Sequence, residues 1–141
     1  MFKNILVGYD GSKGGKAALR RAAVMAKEFD ARITALWVCE PLPRYTDLPG
    51  EPEAEAEAAD EYFKERQREV AEAAAQHGLT IGCETRRGHP AKTILQCAGE
   101  GGYDLIVVGH SDHSELWGRL VGDTADRISD HAHCSVLIVK Q

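Results

Sequence analysis

The sequence predicts an α/β fold in which a parallel sheet of five strands is covered by helices on both faces. Three observations predict it. Short runs of branched apolar residues alternate with helical patterns along the chain, two of these runs are apolar at every position, and a further run lies at the chain's end. Runs without polar positions are typical of strands buried on both faces. Strands that alternate with helices are joined by right-handed crossovers, which makes neighbouring strands parallel.

The first half of the chain supplies two strands and two helices. Residues 5–7 predict the first strand, and residues 33–38 predict the second. Ser12 is suited to cap the first helix, through which apolar residues recur at helical spacing: Ala18, Ala22, Met25 and Phe29. A Pro-rich exposed loop over residues 41–52 leads into a long helix over residues 53–77. That helix is acidic in its first half and basic in its second, which complements the helix dipole, and its acidic run is interpreted as a solvated face.

The second half of the chain supplies three more strands and two shorter helices. Residues 79–85 alternate apolar residues with polar residues or Gly, which predicts a third strand with one wetter face. Residues 90–98 predict a helix, because the proline at their start suits a first helical turn. Residues 105–108 predict the fourth strand, residues 124–132 a helix, and residues 136–139 the fifth strand.

Five strands arranged in this way most often form a flavodoxin-like or Rossmann-like doubly wound sheet. In such a sheet ligands bind beyond the carboxyl ends of the strands, at the point where the strand order reverses. Two loops are therefore candidates for a binding site. Residues 10–12 follow the first strand, and residues 109–122 follow the fourth.

Length, composition and charge exclude several classes of protein. The 141 residues fit one domain over residues 1–141, and 43% hydrophobic with 28% charged residues is typical of a cytoplasmic globular protein. Lys and Arg number 17 against 22 Asp and Glu, which gives a net charge of −5. Since no Lys/Arg stripe is recognised, neither nucleic acid nor an anionic membrane is expected as a partner. No apolar run reaches the length of a signal peptide or a membrane span.

Catalytic and metal-binding motifs are not recognised in the sequence. The first loop is not a P-loop, since Asp10 and Ala17 stand where that motif needs Gly and Ser or Thr. No GxGxxG or GxSxG motif is present, so no catalytic residue is assigned. The histidines near the second loop and the last strand are interpreted as solvated residues without metal-ligand spacing: His110, His113, His131 and His133. The cysteines are expected to be reduced thiols: Cys39, Cys83, Cys97 and Cys134.

Two segments resemble a known family. Residues 5–12, Ile-Leu-Val-Gly-Tyr-Asp-Gly-Ser, resemble the opening of the universal stress protein family, whose first strand ends in Asp-Gly-Ser. ATP-binding members carry Gly, two residues, Gly, nine residues, then Gly and Ser or Thr, and here Gly109 and Gly122 fill the first and third glycine positions. The tail over residues 131–139 resembles the family's last strand. The resemblance covers essentially the whole chain, and it implies a sheet of order 3-2-1-4-5 and a homodimer paired through the last strand.

The resemblance also implies a nucleotide site with an altered phosphate half. In ATP-binding members the aspartate that matches Asp10 contacts the adenine end, and Val38 matches a position that lines the base pocket. In the phosphate half, Asp112 replaces the second glycine and Asp123 replaces the Ser or Thr, with Thr124 one residue late. The site residues that the resemblance implies are Gly8, Tyr9, Asp10, Val38, Val108, Gly109, Asp112, Arg119, Gly122, Asp123 and Thr124.

The two aspartates of the phosphate half oppose a phosphate group. A carboxylate about 4 Å from one phosphate charge costs ~1 kcal/mol in water and ~4 kcal/mol at an effective dielectric of about 20. Arg119 could offset part of this cost, and so could a Mg or Mn ion held by Asp112 or Asp123. Asp123 could instead cap the following helix and take the place of a phosphate.

These features predict a stress-response accessory protein, a ligand-responsive regulatory module that binds ATP or AMP with Mg or Mn. Two alternatives stay open. The first is a family member that binds no nucleotide and acts through contacts with an unidentified protein partner. The second is a slow nucleotide hydrolase, at most a weak ATPase. In each case the expected protein is cytoplasmic and pairs through its last strand.

Overall fold

The computed structural model describes residues 1–40, 52–110 and 124–140, with the backbone alone for residues 52–55. Strands and helices alternate in this order: β1 (Asn4–Gly8), α1 (Lys13–Phe29), β2 (Arg32–Cys39), α2 (Pro52–His77), β3 (Gly82–Arg87), α3 (Pro90–Glu100), β4 (Leu105–Gly109), α4 (Thr124–His131) and β5 (Ser135–Val139). The sheet has the order β3-β2-β1-β4-β5, and all four neighbouring pairs are parallel. The predicted doubly wound, Rossmann-like sheet of order 3-2-1-4-5 is therefore confirmed.

Helices cover both faces of the sheet, and the central strand β1 contributes to the core on each side. Ile5 and Val7 belong to the cluster beneath α1 and α2, whereas Leu6 belongs to the cluster beneath α3 and α4. All three side chains are fully buried, as expected for a central strand of a parallel sheet. β1 pairs with β2 on one side and with β4 on the other, so the strand order reverses beside it. Within the described ranges, no helix combines the length and apolar character needed to cross a membrane.

The third strand begins later than the sequence pattern predicted. The pattern indicated residues 79–85, whereas β3 begins at Gly82. Leu79 and Ile81 nevertheless pack against the core beneath α1 and α2, so the alternation of apolar residues reflects burial that starts before the backbone pairs. β3 is an edge strand whose one neighbour in the sheet is β2, and the pairing between them starts only at Thr34.

The first helix has defined caps at both ends. Ser12 Oγ accepts a hydrogen bond from the backbone N–H of Gly15 at 3.0 Å, which confirms the predicted N-cap. At the other end Asp30 adopts a left-handed backbone with φ 53°, a conformation that Asp tolerates better than most residues. The first turn carries Lys13 and no acidic residue. A cation at this end opposes the helix dipole and costs about 0.3–1 kcal/mol.

Candidate functional site

The carboxyl ends of β1 and β4 lie side by side at the point where the strand order reverses. From β1 the chain continues into α1 on one face of the sheet, whereas α4, the next described helix after β4, lies on the opposite face. In doubly wound sheets, connections that diverge in this way leave a crevice where ligands bind. The site predicted from the sequence is centred here.

Two glycines end these strands where neighbouring atoms leave little room for a side chain. A Cβ on Gly109 would overlap the backbone of Gly14, which lies in the first turn of α1. A Cβ on Gly8 would lie 3.1 Å from both Ile94 Cδ1 and Val108 Cγ1, so these side chains would have to shift. As a result, α1 and β4 meet backbone to backbone beside the crevice.

Asp10 organises the loop between β1 and α1. Its Oδ1 accepts hydrogen bonds from the backbone N–H of Ser12 at 3.0 Å and from Ser12 Oγ at 2.5 Å. A Cβ on Gly15 would come within 2.7 Å of the same oxygen, so the loop is closely packed around it. Asp10 is exposed, and its Oδ2 has no hydrogen-bond partner among the described residues. One carboxylate oxygen therefore holds the loop, and the other is available to a ligand.

Tyr9 faces α2 rather than the crevice. Its side chain is only 3% exposed, and its hydroxyl donates to Glu69 Oε2 at 3.2 Å. Burial raises the pKa of Tyr9 well above its usual value, and the charge and hydrogen bond of Glu69 raise it further. The backbone N–H of Tyr9 donates to the carbonyl of Leu36 at 2.9 Å. Tyr9 thus fixes the end of β1, and its phenol belongs to the core.

Arg66 on α2 covers the loop after β1, a contact that the sequence analysis missed. Its guanidinium lies over the ring of Tyr62 at 4.1 Å, and its Nε is 2.8 Å from Glu69 Oε1 in an ion pair that lacks hydrogen-bond geometry. A Cβ on Gly11 would lie 2.8 Å from the guanidinium carbon, and the hydroxyl of Tyr62 donates to the Asp10 carbonyl at 3.1 Å. The spacing of residues 62, 66 and 69 along one helix face was the available signal.

Aromatic contacts fix this part of α2 on the sheet. The ring of Trp37, on β2, lies 4.8 Å from that of Tyr62 and 6.2 Å from that of Phe63. Aromatic pairs at such distances contribute about 0.5–1.5 kcal/mol each beyond simple burial. The position of the Tyr62 hydroxyl on the loop after β1 therefore depends on Trp37 as well.

Val38 and Val108 lie on the other face of the sheet, beneath α3 and α4. Val108 is buried and Val38 is half-buried. Gly8 belongs to β1, which separates their two strands. We call these three positions the apolar patch. Because Ile94 and Val108 pack closely against Gly8, the accessible part of this patch is its edge at Gly8 and Val38. An apolar edge beside a few polar groups suits a planar ring better than a charged group.

Most of the predicted phosphate half lies outside the described residues: Asp112, Arg119, Gly122 and Asp123, with His113. Thr124 is the first residue of α4, and Gly109 ends β4. Next to Gly109, the backbone N–H of His110 donates to the carbonyl of Val139 at 2.8 Å, which carries the pairing of β4 and β5 one residue further. Within the described part of the chain, no group of three His, Cys, Asp or Glu side chains is arranged to hold a metal.

The cysteine thiols and His131, which lie outside the crevice, have burial or local backbone contacts that are typical of structural residues. All four cysteines are free, and burial raises the pKa of three of them: Cys83, Cys97 and Cys134. A ring nitrogen of His131 lies 2.9 Å from the Arg127 carbonyl, within α4. A raised thiol pKa lowers the thiolate fraction, so these groups are poor nucleophiles.

A basic groove runs between α1 and β5, and it overturns one interpretation of the sequence. Its volume is about 680 Å³, and among the residues that the structure describes five cations and three small apolar residues line it: Lys13, Lys16, Arg20, Arg21, Lys140, Ala17, Val24 and Val139. The sequence was interpreted as having no Lys/Arg stripe, whereas Lys and Arg side chains do cluster on this surface. Positions 13, 16 and 20 recur at helical spacing on α1, but Lys140 joins them only through the fold.

Comparisons with known proteins agree with this arrangement of strands. The sequence profile of the universal stress protein family matches residues 1–140. A universal stress protein of Methanocaldococcus jannaschii is 35% identical over 143 residues, covering 100% of this chain and 84% of that protein. A solved universal stress protein in complex with cAMP matches with a TM-score of 0.77 at 26% identity, covering 98% of this chain and 97% of the other. The universal stress protein UspA from Lactobacillus plantarum matches with a TM-score of 0.74 at 31% identity and the same coverage.

Proposed function

The chain belongs to the universal stress protein family, and from that premise we propose that it is a regulatory module that binds an adenine nucleotide between the carboxyl ends of β1 and β4. The observation that carries the proposal is the apolar patch of Gly8, Val38 and Val108, which lies where the strand order reverses. The likeness to a universal stress protein solved in complex with cAMP supports it. In this proposal the adenine ring packs against the accessible edge of the patch at Val38.

Asp10 is the proposed polar contact of the base. Ser12 occupies Asp10 Oδ1, so Oδ2 is the oxygen that would accept a hydrogen bond from the exocyclic amino group of adenine. An ionised carboxylate only accepts hydrogen bonds, and an amino group donates them. The contacts of α2 with this loop, through Tyr62 and Arg66, would hold Asp10 in place for the ligand.

The number of phosphate charges is expected to decide which nucleotide binds. Asp112 and Asp123 belong to the phosphate half by sequence, and each carboxylate close to a phosphate charge costs about 1–4 kcal/mol. AMP or cAMP should therefore bind more tightly than metal-free ATP. Mg or Mn would improve ATP binding by neutralising part of this repulsion, and Arg119 would contribute in the same direction.

A second candidate function is contact with other proteins, which the edge of the sheet at β5 favours. In the described part of the chain β5 pairs with β4 alone, so its outer backbone groups have no strand partner. An unpaired edge of this kind is a template for another strand. We propose that, in the absence of another partner, a second copy of the chain pairs there to form a symmetric homodimer.

Calorimetric titration with AMP, cAMP and ATP, with and without Mg or Mn, tests the nucleotide proposal. Binding of AMP or cAMP without metal, and of ATP chiefly with metal, is expected. Val38→Trp should abolish binding by filling the apolar patch, whereas the matched change Val24→Trp, at a 50% exposed position on α1, should not. No heat with any nucleotide on folded protein would refute nucleotide binding and leave the protein contacts of β5. Sedimentation equilibrium measures the homodimer separately.

A further inference from the structure

The basic groove concentrates positive charge in a protein whose net charge is −5. Its cations are four side chains of α1 and that of Lys140, and all five are exposed. None of the five forms an ion pair with a carboxylate that the structure describes. The pKa of Glu65, on α2, is lowered chiefly by its hydrogen bond with Arg68, and Lys16 acts on it only through its charge.

Helix stability does not account for these cations. Lys13 and Lys16 stand at the start of α1, where the positive end of the helix dipole disfavours them, and the first turn carries no acidic residue. The groove therefore holds like charges that repel one another and that the helix does not stabilise. An anionic ligand would offset both costs.

The homodimer proposed through β5 places two such grooves on the same side of one sheet. When two β5 strands pair antiparallel about a two-fold axis, the axis is perpendicular to the sheet and the same face of each copy lies on the same side. Leu137 and Val139 of β5 belong to the core cluster beneath α1, so α1 of both copies stands on that side. Three strand spacings, about 14 Å, separate β4 of one copy from β4 of the other. Because α1 contacts both β4 and β5, the cations of the two helices face each other across the axis.

Pairing through β5 therefore brings five cations of one copy toward the same five of the other. Their mutual repulsion opposes the dimer, and salt reduces it by screening. A ligand with several negative charges, lying between the two helices, would replace the repulsion by attraction. The second copy thus completes a site of which each chain holds one half.

The hydrogen-bonding groups of the groove indicate the chemistry of this ligand. Lys and Arg side chains only donate hydrogen bonds, and the described lining contains no side chain that accepts one and no aromatic ring. A peptide backbone or a nucleobase would bring N–H donors without acceptors, and bases would lack a ring on which to stack. Phosphate oxygens accept only, and a chain of phosphates carries negative charge toward both helices.

We propose that the basic grooves of two copies join across the homodimer and bind one chain of phosphate groups, inorganic polyphosphate, between the two α1 helices. The inference rests on the homodimer proposed through β5 and does not depend on nucleotide binding in the crevice. The cations from Lys13 to Arg21 extend over about 12 Å of each helix, so a long chain contacts more of them than a short one. A ligand that binds the dimer better than the monomer also raises the dimer association constant.

Fluorescence anisotropy with end-labelled polyphosphate, on the full chain, measures binding. A long chain should bind, and its affinity should fall steeply as salt is raised, because binding releases counterions. Tripolyphosphate, poly-glutamate and single-stranded DNA should bind about tenfold more weakly or not at all. Saturating AMP should not displace the polyphosphate, since its proposed site is the crevice.

Sedimentation equilibrium at low salt measures the link to the homodimer. Long-chain polyphosphate should raise the dimer association constant by about tenfold or more, whereas tripolyphosphate should have little effect. In the absence of polyphosphate, added salt should raise the same constant, because it screens the cations that face each other across the axis.

Charge-reversal variants locate the site. Lys16→Glu with Arg20→Glu should weaken polyphosphate binding by about tenfold or more. At low salt without polyphosphate, this variant should dimerise more tightly than the original protein, because the repulsion across the axis is removed. The matched pair Lys92→Glu with Arg127→Glu makes the same charge change at exposed positions on the opposite side of the sheet, and it should keep both polyphosphate binding and its effect on the dimer. Circular dichroism confirms that both variants are folded.

Several results would overturn the proposal. They are no binding of long-chain polyphosphate at low salt, binding that leaves the dimer association constant unchanged, and equal loss of affinity in both charge-reversal variants. Equally tight binding of poly-glutamate or DNA would identify a non-specific anion surface, and displacement by AMP would place the polyphosphate in the crevice. A protein that stays monomeric under all these conditions would refute the homodimer and the joined groove together. AMP titration of the Lys16→Glu, Arg20→Glu variant tests the crevice separately.

Discussion

The backbones of Gly14 and Gly109 lie in direct contact, so close that a Cβ on Gly109 would overlap the carbonyl group of Gly14. The contact joins the helix that follows β1 to the end of β4, so it fixes the two sides of the crevice relative to each other. Protein interiors are closely packed and transmit such a constraint with little compression. The close approach of the first turn of α1 to the end of β4 therefore depends on the absence of a side chain at Gly109.

Gly109→Ala is expected to destabilise the protein by about 1–3 kcal/mol, because the new methyl group meets backbone that cannot rotate away. Urea unfolding followed by circular dichroism measures the loss. Gly99→Ala is the matched control, since a Cβ there has no heavy atom within 4 Å and the position lies in α3. Alanine should stabilise that helix by about 0.5–1 kcal/mol. Similar unfolding free energies for the two variants would contradict the close contact.

The hydrogen bonds of Asp10 and Ser12 are expected to be energetically coupled. Ser12 Oγ donates to Asp10 and accepts from the N–H of Gly15, so either change to alanine weakens one small network. Ser12→Ala should cost about 1 kcal/mol, the usual loss for an N-cap. A double-mutant cycle with Asp10→Ala should show a combined loss smaller than the sum by about 0.5 kcal/mol or more.

Asp104→Ala provides the control for that coupling. Asp104 accepts hydrogen bonds from the N–H groups of Lys3 and Asn4, at the opposite end of the sheet from Ser12. The stability losses of substitutions at distant sites add within about 0.3–0.5 kcal/mol. The losses from Asp104→Ala and Ser12→Ala should therefore sum in the double variant. Strict additivity in the Asp10 cycle as well would show that the loop bonds act independently.

Local patterns predicted the central elements of the fold better than its edges and surfaces. Ile5, Leu6 and Val7 are buried on both faces, so their apolar character alone identified β1. The start of β3 was missed because its pairing with β2, rather than its own alternation, decides where the strand begins. The sheet order came from a family resemblance, since strand pairing joins residues that are distant in sequence.

In the candidate site, too, residues next to evident strands were predicted and residues placed by distant contacts were missed. Asp10 and Gly109 were identified because each follows a strand that the sequence made evident. Arg66 was missed because a charged residue on a polar helix is usually solvated, and only packing shows that its side chain is 12% exposed. The basic groove was missed because Lys140 joins α1 only through the position of β5. Contacts between distant segments leave no local signal in one sequence.

The stability of the protein should fall at alkaline pH, in part because of Tyr9. Burial chiefly, and then Glu69, raise its pKa in the folded state above the value of 10.0 for an exposed tyrosine. Below pH 10 both states hold the proton, so the full contribution to stability is present. Above pH 10 the unfolded state loses the proton first, and the contribution decreases as the pH rises toward the folded-state pKa.

Tyr9→Phe tests this dependence. The variant should be less stable at neutral pH by about 1 kcal/mol, because the hydrogen bond to Glu69 is lost. It should also lose less stability than the original protein between pH 10 and pH 11, in urea unfolding at each pH. The unfolding free energy of the variant should still fall somewhat with rising pH, because burial also raises the pKa of Tyr103 and of the thiols of Cys83 and Cys97. An unchanged alkaline slope would show that Tyr9 titrates like an exposed phenol.

Arg66 and Arg68 lie two residues apart on α2 and should differ strongly when changed to alanine. Arg66→Ala leaves Glu69, 14% exposed, without its cation and removes the group that covers Gly11, so we expect a loss of about 1–3 kcal/mol. Arg68 pairs with Glu65 and Glu72 on an exposed face, where salt bridges contribute little, so Arg68→Ala should change the unfolding free energy only slightly. Urea unfolding of both variants at two salt concentrations makes the comparison. If Arg68→Ala were as destabilising as Arg66→Ala, helix charge rather than the buried contact would stabilise α2, and the loop after β1 would not depend on Arg66.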